Sequence, residues 1–255
     1  MWDQLVEDHG EEFARDFARA CLERPSLWLR MKERGNGSVP GSLRADAGGK
    51  VNDLAGFSEG EFIVQDISSQ QLVHEISARV KEALGTGPLT ALDLCAAPGG
   101  KSVGLAWEGF TVSASDRDSP RMKLLQSTED RVRAGIQIVP KSEVSALPLQ
   151  DLVWVDAPCT GSGIIRRHPD VRWLRQPKEL QALAKVQAQL IEEGWEKVKP
   201  GGFLAYSVCS LLKAEGPVRM SQAALKGSQR IHEWLLTPQQ DPHGDGFWAS
   251  LVRKT

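Results

Sequence analysis

Leu89–Ser102 reads LTALDLCAAPGGKS, and this stretch decides the fold. Leu89–Cys95 is an apolar run closed by Pro98-Gly99-Gly100, so a strand is expected to turn into a short helix reaching about Trp107. The rhythm repeats downstream. Phe110–Ser115, Ile136–Val139, Leu152–Val155 and Phe203–Val208 read as strands, and Met122, Leu124 and Leu125 mark a helix after the second. A strong amphipathic helix spans Leu180–Val198, and Arg230–Leu236 with Gly246–Val252 read as two closing strands. Upstream, Ile67, Leu72, Val73, Ile76, Val80 and Leu84 space a helix over 66–84. Strands alternating with helices imply an open, mostly parallel sheet whose ligands sit at the carboxyl ends of its strands.

The sequence before this unit differs in character. Residues 3–22 carry apolar positions at helical spacing and predict one amphipathic helix ended before Pro25, with Cys21 in its core face. Residues 35–60 are rich in Gly, Ser and Asp and read as loop with at most a short strand. The chain thus divides into a short extension over 1–60 and a main domain over 61–255.

Lys plus Arg is 31 against 33 Asp plus Glu, a formal net charge of −2, which excludes nucleic-acid binding by bulk charge alone. No apolar stretch approaches the ~20 residues of a membrane span, and the acidic start MWDQLVEDHGEEFARD lacks a signal-peptide core, so a cytoplasmic protein is expected. Cys21, Cys95, Cys159 and Cys209 are scattered, with no C-x-x-C pair, so neither a metal site nor a disulfide framework is expected.

The strand ends carry the chemistry. Cys95–Ser102 ends like a phosphate-binding loop, but that loop needs Gly where Cys95 stands, and the dinucleotide pattern G-x-G-x-x-G is absent. What remains is a small-residue turn that lets a ligand approach the backbone at a helix N-terminus. Asp116 follows the second strand, placed either to accept ribose hydroxyls or to cap the next helix. Asp156-Ala157-Pro158-Cys159 follows the fourth, putting a carboxylate and a thiol on one stiff turn, or else a capped acid and an inert thiol. Cys209 ends the fifth, so two thiols and an acid converge if these strands are neighbours. Arg166, Arg167, His168, Arg172 and Arg175, with Trp173 among them, form the clearest basic cluster, suited to RNA phosphates and bases or else to salt bridges on a solvated loop.

Together LDLCAAPGGKS (92–102), VDAPCTGSGIIRRHPDVRWL (155–174), YSVCSLL (206–212) and DGFWASLVRK (245–254) resemble the Sun family of RNA cytosine-C5 methyltransferases, which includes the NSUN enzymes. The resemblance is closest to the bacterial small-subunit ribosomal RNA methyltransferase B type, and it extends upstream through RPSLWLRMK and GFSEGEFIVQDISSQ. It implies a Rossmann-like class I methyltransferase fold, with a mostly parallel seven-stranded sheet, helices on both faces and a short N-terminal helical extension. It also implies S-adenosylmethionine as cofactor, held by Cys95, Ala96, Ala97, Pro98, Gly99, Gly100 and Lys101, by Asp116 at the ribose and by Asp156 near the methionine. Cys209 matches the nucleophile that attacks C6 of cytosine, Cys159 matches the cysteine associated with product release, and Asp156 is placed to act on the ring.

Against the family pattern, Ser142 takes the adenine-side position where an acid is usual, with Glu143 beside it. Val208 replaces a Thr before the nucleophile, and Ala214-Glu215-Gly216 replaces an acid pair after it. The B type carries an N-terminal helical RNA-binding domain, for which this chain has no room. The expected partner is RNA, ribosomal (16S) first and transfer RNA second, bound by a monomer through Arg166, Arg167, His168 and Arg172. A non-catalytic RNA-binding or ribosome-assembly protein on the same scaffold is the alternative from another class.

Overall fold

The computed structural model describes residues 1–255 apart from 34, 36, 38, 46–48, 175–176 and 241–243, so Arg175 lies outside the described residues. The main sheet is built from β4 (Leu89–Asp93), β5 (Phe110–Ala114), β6 (Gln137–Ile138), β7 (Gln150–Asp156), β8 (Val198–Val208), β9 (Ser228–Leu236) and β10 (Phe247–Lys254). Its seven strands run in the order β6-β5-β4-β7-β8-β10-β9. The first five in that order are parallel, and β10 pairs antiparallel with both β8 and β9. This is the expected Rossmann-like sheet, and the strand order reverses at β4, so β4 and β7 open the crevice where such folds bind ligands.

Helices cover both faces. α3 (Ile67–Leu84), α4 (Gly100–Trp107) and α5 (Ser119–Val132) bury Leu72, Ile76, Val103, Leu105 and Leu125 on one side. α7 (Pro177–Glu196) buries Leu190, Ile191 and Trp195 on the other. A strand covered twice must be apolar throughout, and Leu152–Val155 of β7 is fully buried. At ~25 cal/mol per Å² of apolar surface removed from water, this double covering dominates the stability of the sheet.

The extension differs from its sequence reading in three ways. The single helix expected over 3–22 is two, α1 (Trp2–His9) and α2 (Glu11–Ala20), because Gly10 takes φ +90 and breaks the helical path. A strand missed in the sequence, β1 (Leu27–Met31), pairs antiparallel with both β2 (Ser42–Ala45) and β3 (Phe62–Val64). The boundary expected at residue 60 therefore falls inside a structural unit, since β1 and β3 pair across it. Two short helices, α6 (Val171–Leu174) and α8 (Pro217–Gln222), complete the chain. Among the described residues, no helix is long and apolar enough to cross a membrane.

Candidate active site

Two neighbouring strands deliver the chemistry. β7 and β8 run parallel with Asp156 opposite Ser207, so the turns that leave them emerge side by side. Each carries a cysteine, and Cys159 Sγ and Cys209 Sγ lie 3.4 Å apart. Both are free thiols, well beyond the ~2.05 Å of a disulfide. The hydrogen bond to Cys209 and burial push the Cys159 thiol well above its usual range, so it holds its proton. Gly163 N donates to Cys209 O at 3.0 Å and Gly246 N donates to Gly163 O at 2.8 Å, which pins the Cys159 turn between β8 and β10. A Cβ at Gly163 would meet Gly246 O at 2.1 Å, so only glycine permits this crossing.

A cavity of about 220 Å³ opens at the carboxyl end of β4. Cys95, Ala96, Ala97, Pro98, Gly100, Lys101 and Asp156 are among the residues that line it. Gly99 lies behind the turn with φ +115 as the N-cap of α4, and a Cβ there would press on Leu125 at 3.1 Å. The Ala97–Pro98 peptide is cis. Lys101 Nζ is 2.7 Å from Asp156 Oδ2, and Ser207 Oγ donates to Asp156 Oδ1 at 2.7 Å. Trp154 Nε1 in turn donates to Ser207 Oγ at 2.9 Å, so a buried chain of bonds sets the orientation of the Asp156 carboxylate.

Asp116 is buried at the end of β5, where it accepts from Ala97 N at 3.3 Å and Asp118 N at 3.0 Å and pairs with Arg121 at 3.4 Å. It does not cap α5. That role belongs to Asp118, which accepts from Arg121 N at 3.1 Å. Ser142 is exposed on a 3₁₀ turn and does not line the cavity. Cys21 caps the C-terminus of α2, half-buried, and burial raises its thiol to about 11, in keeping with a structural role.

The basic cluster divides in two. The Arg166 side chain is fully buried, donates to Gly244 O at 2.5 Å and lies 3.8 Å from Asp245. Arg167 donates to Asp245 Oδ2 at 2.6 Å and to Asp66. Both arginines are therefore spent on internal carboxylates and a carbonyl, which corrects the expectation that they face RNA. His168 and Arg172 are exposed, and the Arg172 guanidinium sits 5.4 Å from the ring centroid of Trp173, which is 77% exposed.

Sequence reasoning missed Asp93, the last residue of β4. It is fully buried, accepts from Ser102 Oγ at 2.7 Å, and burial raises its carboxyl to about 7. An acid within an apolar strand was the available signal, and a buried charge of that kind asks for a purpose. Asp66, Ser69 and Phe247 also line the cavity, brought there from distant segments that no local pattern could connect.

The sequence model of the family described as 16S rRNA methyltransferase RsmB/F matches residues 87–249. The chain is 31% identical to the ribosomal RNA small subunit methyltransferase B of Salmonella arizonae, over an alignment covering 100% of this chain and 63% of that protein. It therefore spans less than two thirds of that relative's length. The crystal structure of PH0851 superposes with a TM-score of 0.85 at 25% identity, covering 99% of this chain and 65% of that one. NSun6 from Pyrococcus horikoshii, solved with SFG, shares the fold at a TM-score of 0.79 and 16% identity, covering 99% of this chain and 97% of that one. The paired cysteines, the glycine turn and the sheet order thus stand where the match falls, and the chain belongs to the 16S rRNA methyltransferase RsmB/F family of S-adenosylmethionine-dependent methyltransferases.

Proposed function

We propose that this protein methylates C5 of a cytosine in RNA, with 16S ribosomal RNA as the favoured substrate, through a covalent bond between Cys209 and C6 of the base. The observation that carries this reading is the 3.4 Å approach of two free thiols on the turns that leave β7, which ends at the cavity-lining Asp156, and β8. A small buried cysteine is usually a packing residue. Two in contact at adjacent strand ends, next to a lysine–carboxylate pair, suit nucleophilic catalysis.

The cavity fits the cofactor. Oxygens of Asp66, Asp93 and Asp156 line it, able to accept hydrogen bonds from the ammonium that S-adenosylmethionine carries beside its sulfonium. Asp116 stands nearby for the ribose, and the turn 95–101 shapes the wall. Bound there, the cofactor supplies an electrophilic methyl group on sulfur.

The residues of the chain do the rest. The Cys209 thiolate forms a bond to C6 and makes C5 enamine-like, able to accept the methyl. Asp156 and Lys101 bind the polar edge of the ring and stabilise charge developing there. After the C5 proton leaves to water, the C6–S bond breaks and its electrons return to the Cys209 sulfur. Cys159, which retains its proton, donates a hydrogen bond to that departing thiolate. The target base must leave its stack for C6 to be reached.

The test is to incubate the protein with labelled S-adenosylmethionine and RNA from a strain lacking it, then map 5-methylcytosine. Cys209→Ala is expected to abolish transfer while cofactor binding persists, and Cys159→Ala to trap an RNA–protein adduct that survives denaturation. Full transfer by Cys209→Ala removes it as the nucleophile. Label in transfer RNA reassigns the substrate. No incorporation into any RNA favours the non-catalytic scaffold.

A further inference from the structure

Glu215 lies shortly after Cys209 in the chain and is fully buried. A carboxylate in such a place is strongly disfavoured unless its oxygens are engaged. Here they are. Oε1 accepts from Thr160 N at 2.9 Å and from Gln187 Nε2 at 3.1 Å, and Oε2 accepts from Thr160 Oγ1 at 2.5 Å. Thr160 directly follows Cys159, and Gln187 Nε2 also donates to Pro158 O at 3.0 Å, directly before it. Both neighbours of Cys159 are thus tied, one of them through Gln187, to a carboxylate carried on the Cys209 segment.

That carboxylate is itself anchored. Glu215 O accepts from Tyr206 Oη at 2.7 Å, and Glu215 N donates to Leu212 O at 3.0 Å. A second seam runs alongside, where Ser162 Oγ accepts from Leu211 N at 2.9 Å and meets Ser210 Oγ at 3.0 Å.

We infer that Glu215 is a positioning residue, which clamps the Cys159 turn to the Cys209 segment and so maintains the 3.4 Å approach of the two sulfurs. For catalysis this rests on the roles proposed above for Cys209 and Cys159. The clamp works through shape rather than charge. In Glu215→Gln the amide oxygen accepts from Thr160 N and Gln187 as before, and the amide nitrogen donates to Thr160 Oγ1, whose hydroxyl turns to accept. Glu215→Ala removes the clamp altogether.

Two measurements test it. In the first, diamide closes the Cys159–Cys209 disulfide, read by mass spectrometry of the linked peptides. The two thiol hydrogens pass to the N=N bond of diamide as the S–S bond forms. Both variants remove the negative charge that helps to raise the Cys159 thiol, so the difference between them reads geometry. Glu215→Ala is expected to close the bridge at least about tenfold more slowly than Glu215→Gln and than wild type, and Glu215→Gln within about threefold of wild type. In the second, kcat for methyl transfer falls about 100-fold in Glu215→Ala, with KM for RNA and for S-adenosylmethionine held within about twofold, and Gln restores most of the loss. Wild-type rates of bridging and turnover in Glu215→Ala overturn the inference. So does a Gln variant as impaired as Ala, which assigns the effect to the charge. If Glu215→Ala does not fold, Thr160→Val deletes the Oγ1 contacts to Glu215 and to Ser210 at constant shape, and an unchanged bridging rate in that variant overturns the inference. A wild-type protein that transfers no methyl sinks the proposed reaction, while the bridging rates still judge Glu215.

Discussion

Lys101 Nζ and Asp156 Oδ2 lie 2.7 Å apart, and the other carboxylate oxygen is held by Ser207. Both oxygens of Asp156 are committed, so its orientation is set before any substrate arrives. Preorganised polar groups of this kind typically contribute 10²–10³ in rate, so Asp156→Asn should lower methyl transfer about 100-fold. Ser207→Ala, which only loosens the carboxylate, should cost about tenfold. Single-turnover transfer of a labelled methyl measures both, at cofactor concentrations that calorimetry shows to saturate each variant, because Asp156 also lines the cofactor cavity. An undiminished rate in Asp156→Asn removes that carboxylate from the chemistry.

Asp93 makes stability depend on pH. Burial raises its carboxyl from 3.8 in the unfolded chain to about 7 in the folded protein, so the folded state binds the extra proton between those values. The contribution is intact below the unfolded value and is lost as pH rises through the folded one, to a total of about 4 kcal/mol. Asp93→Asn lacks this loss. Its melting temperature relative to wild type should therefore climb between pH 5 and pH 8, measured by differential scanning fluorimetry. A constant difference across that range contradicts the raised carboxyl.

Arg167 and Arg172 should separate stability from RNA binding. Arg167→Ala leaves Asp66 and Asp245 without their shared cation and is expected to cost roughly 3–5 kcal/mol in urea unfolding. Arg172→Ala should leave stability alone and reduce the salt dependence of RNA binding by about one phosphate contact. An unchanged salt slope in Arg172→Ala returns that loop to a solvated role. Loss of less than about 1 kcal/mol in Arg167→Ala reduces its two ion pairs to the level of surface pairs.

The sheet was legible because period and punctuation agree. Leu152–Val155 reads as a strand buried on both faces within the strand-helix rhythm, and Pro98-Gly99-Gly100 as the turn that opens a helix. The convergence of Cys159 and Cys209 was legible once their strands were taken as neighbours, which they are. The fate of the arginines was not. A run of cations looks the same whether its partners are phosphates or carboxylates, and Asp245 and Asp66 are remote in sequence from Arg167. Glu215 was visible only as a departure from a family pattern, because its partners Thr160 and Gln187 lie on the turn after β7 and on α7. Gly10 hid in the same way, since apolar spacing continues across it while its backbone does not.

The crossing of Gly163 and Gly246 bears on how this sequence can vary. Each glycine's missing side chain is the space the other occupies: a Cβ on Gly246 would lie 2.8 Å from Gly163 Cα, and one on Gly163 would strike the Gly246 carbonyl. Even alanine at either position would wedge the Cys159 turn away from the last strand. Two codons far apart in the gene are thus bound by a single steric condition, and a saturation library should tolerate almost nothing at either while accepting wide variety at exposed Ser142.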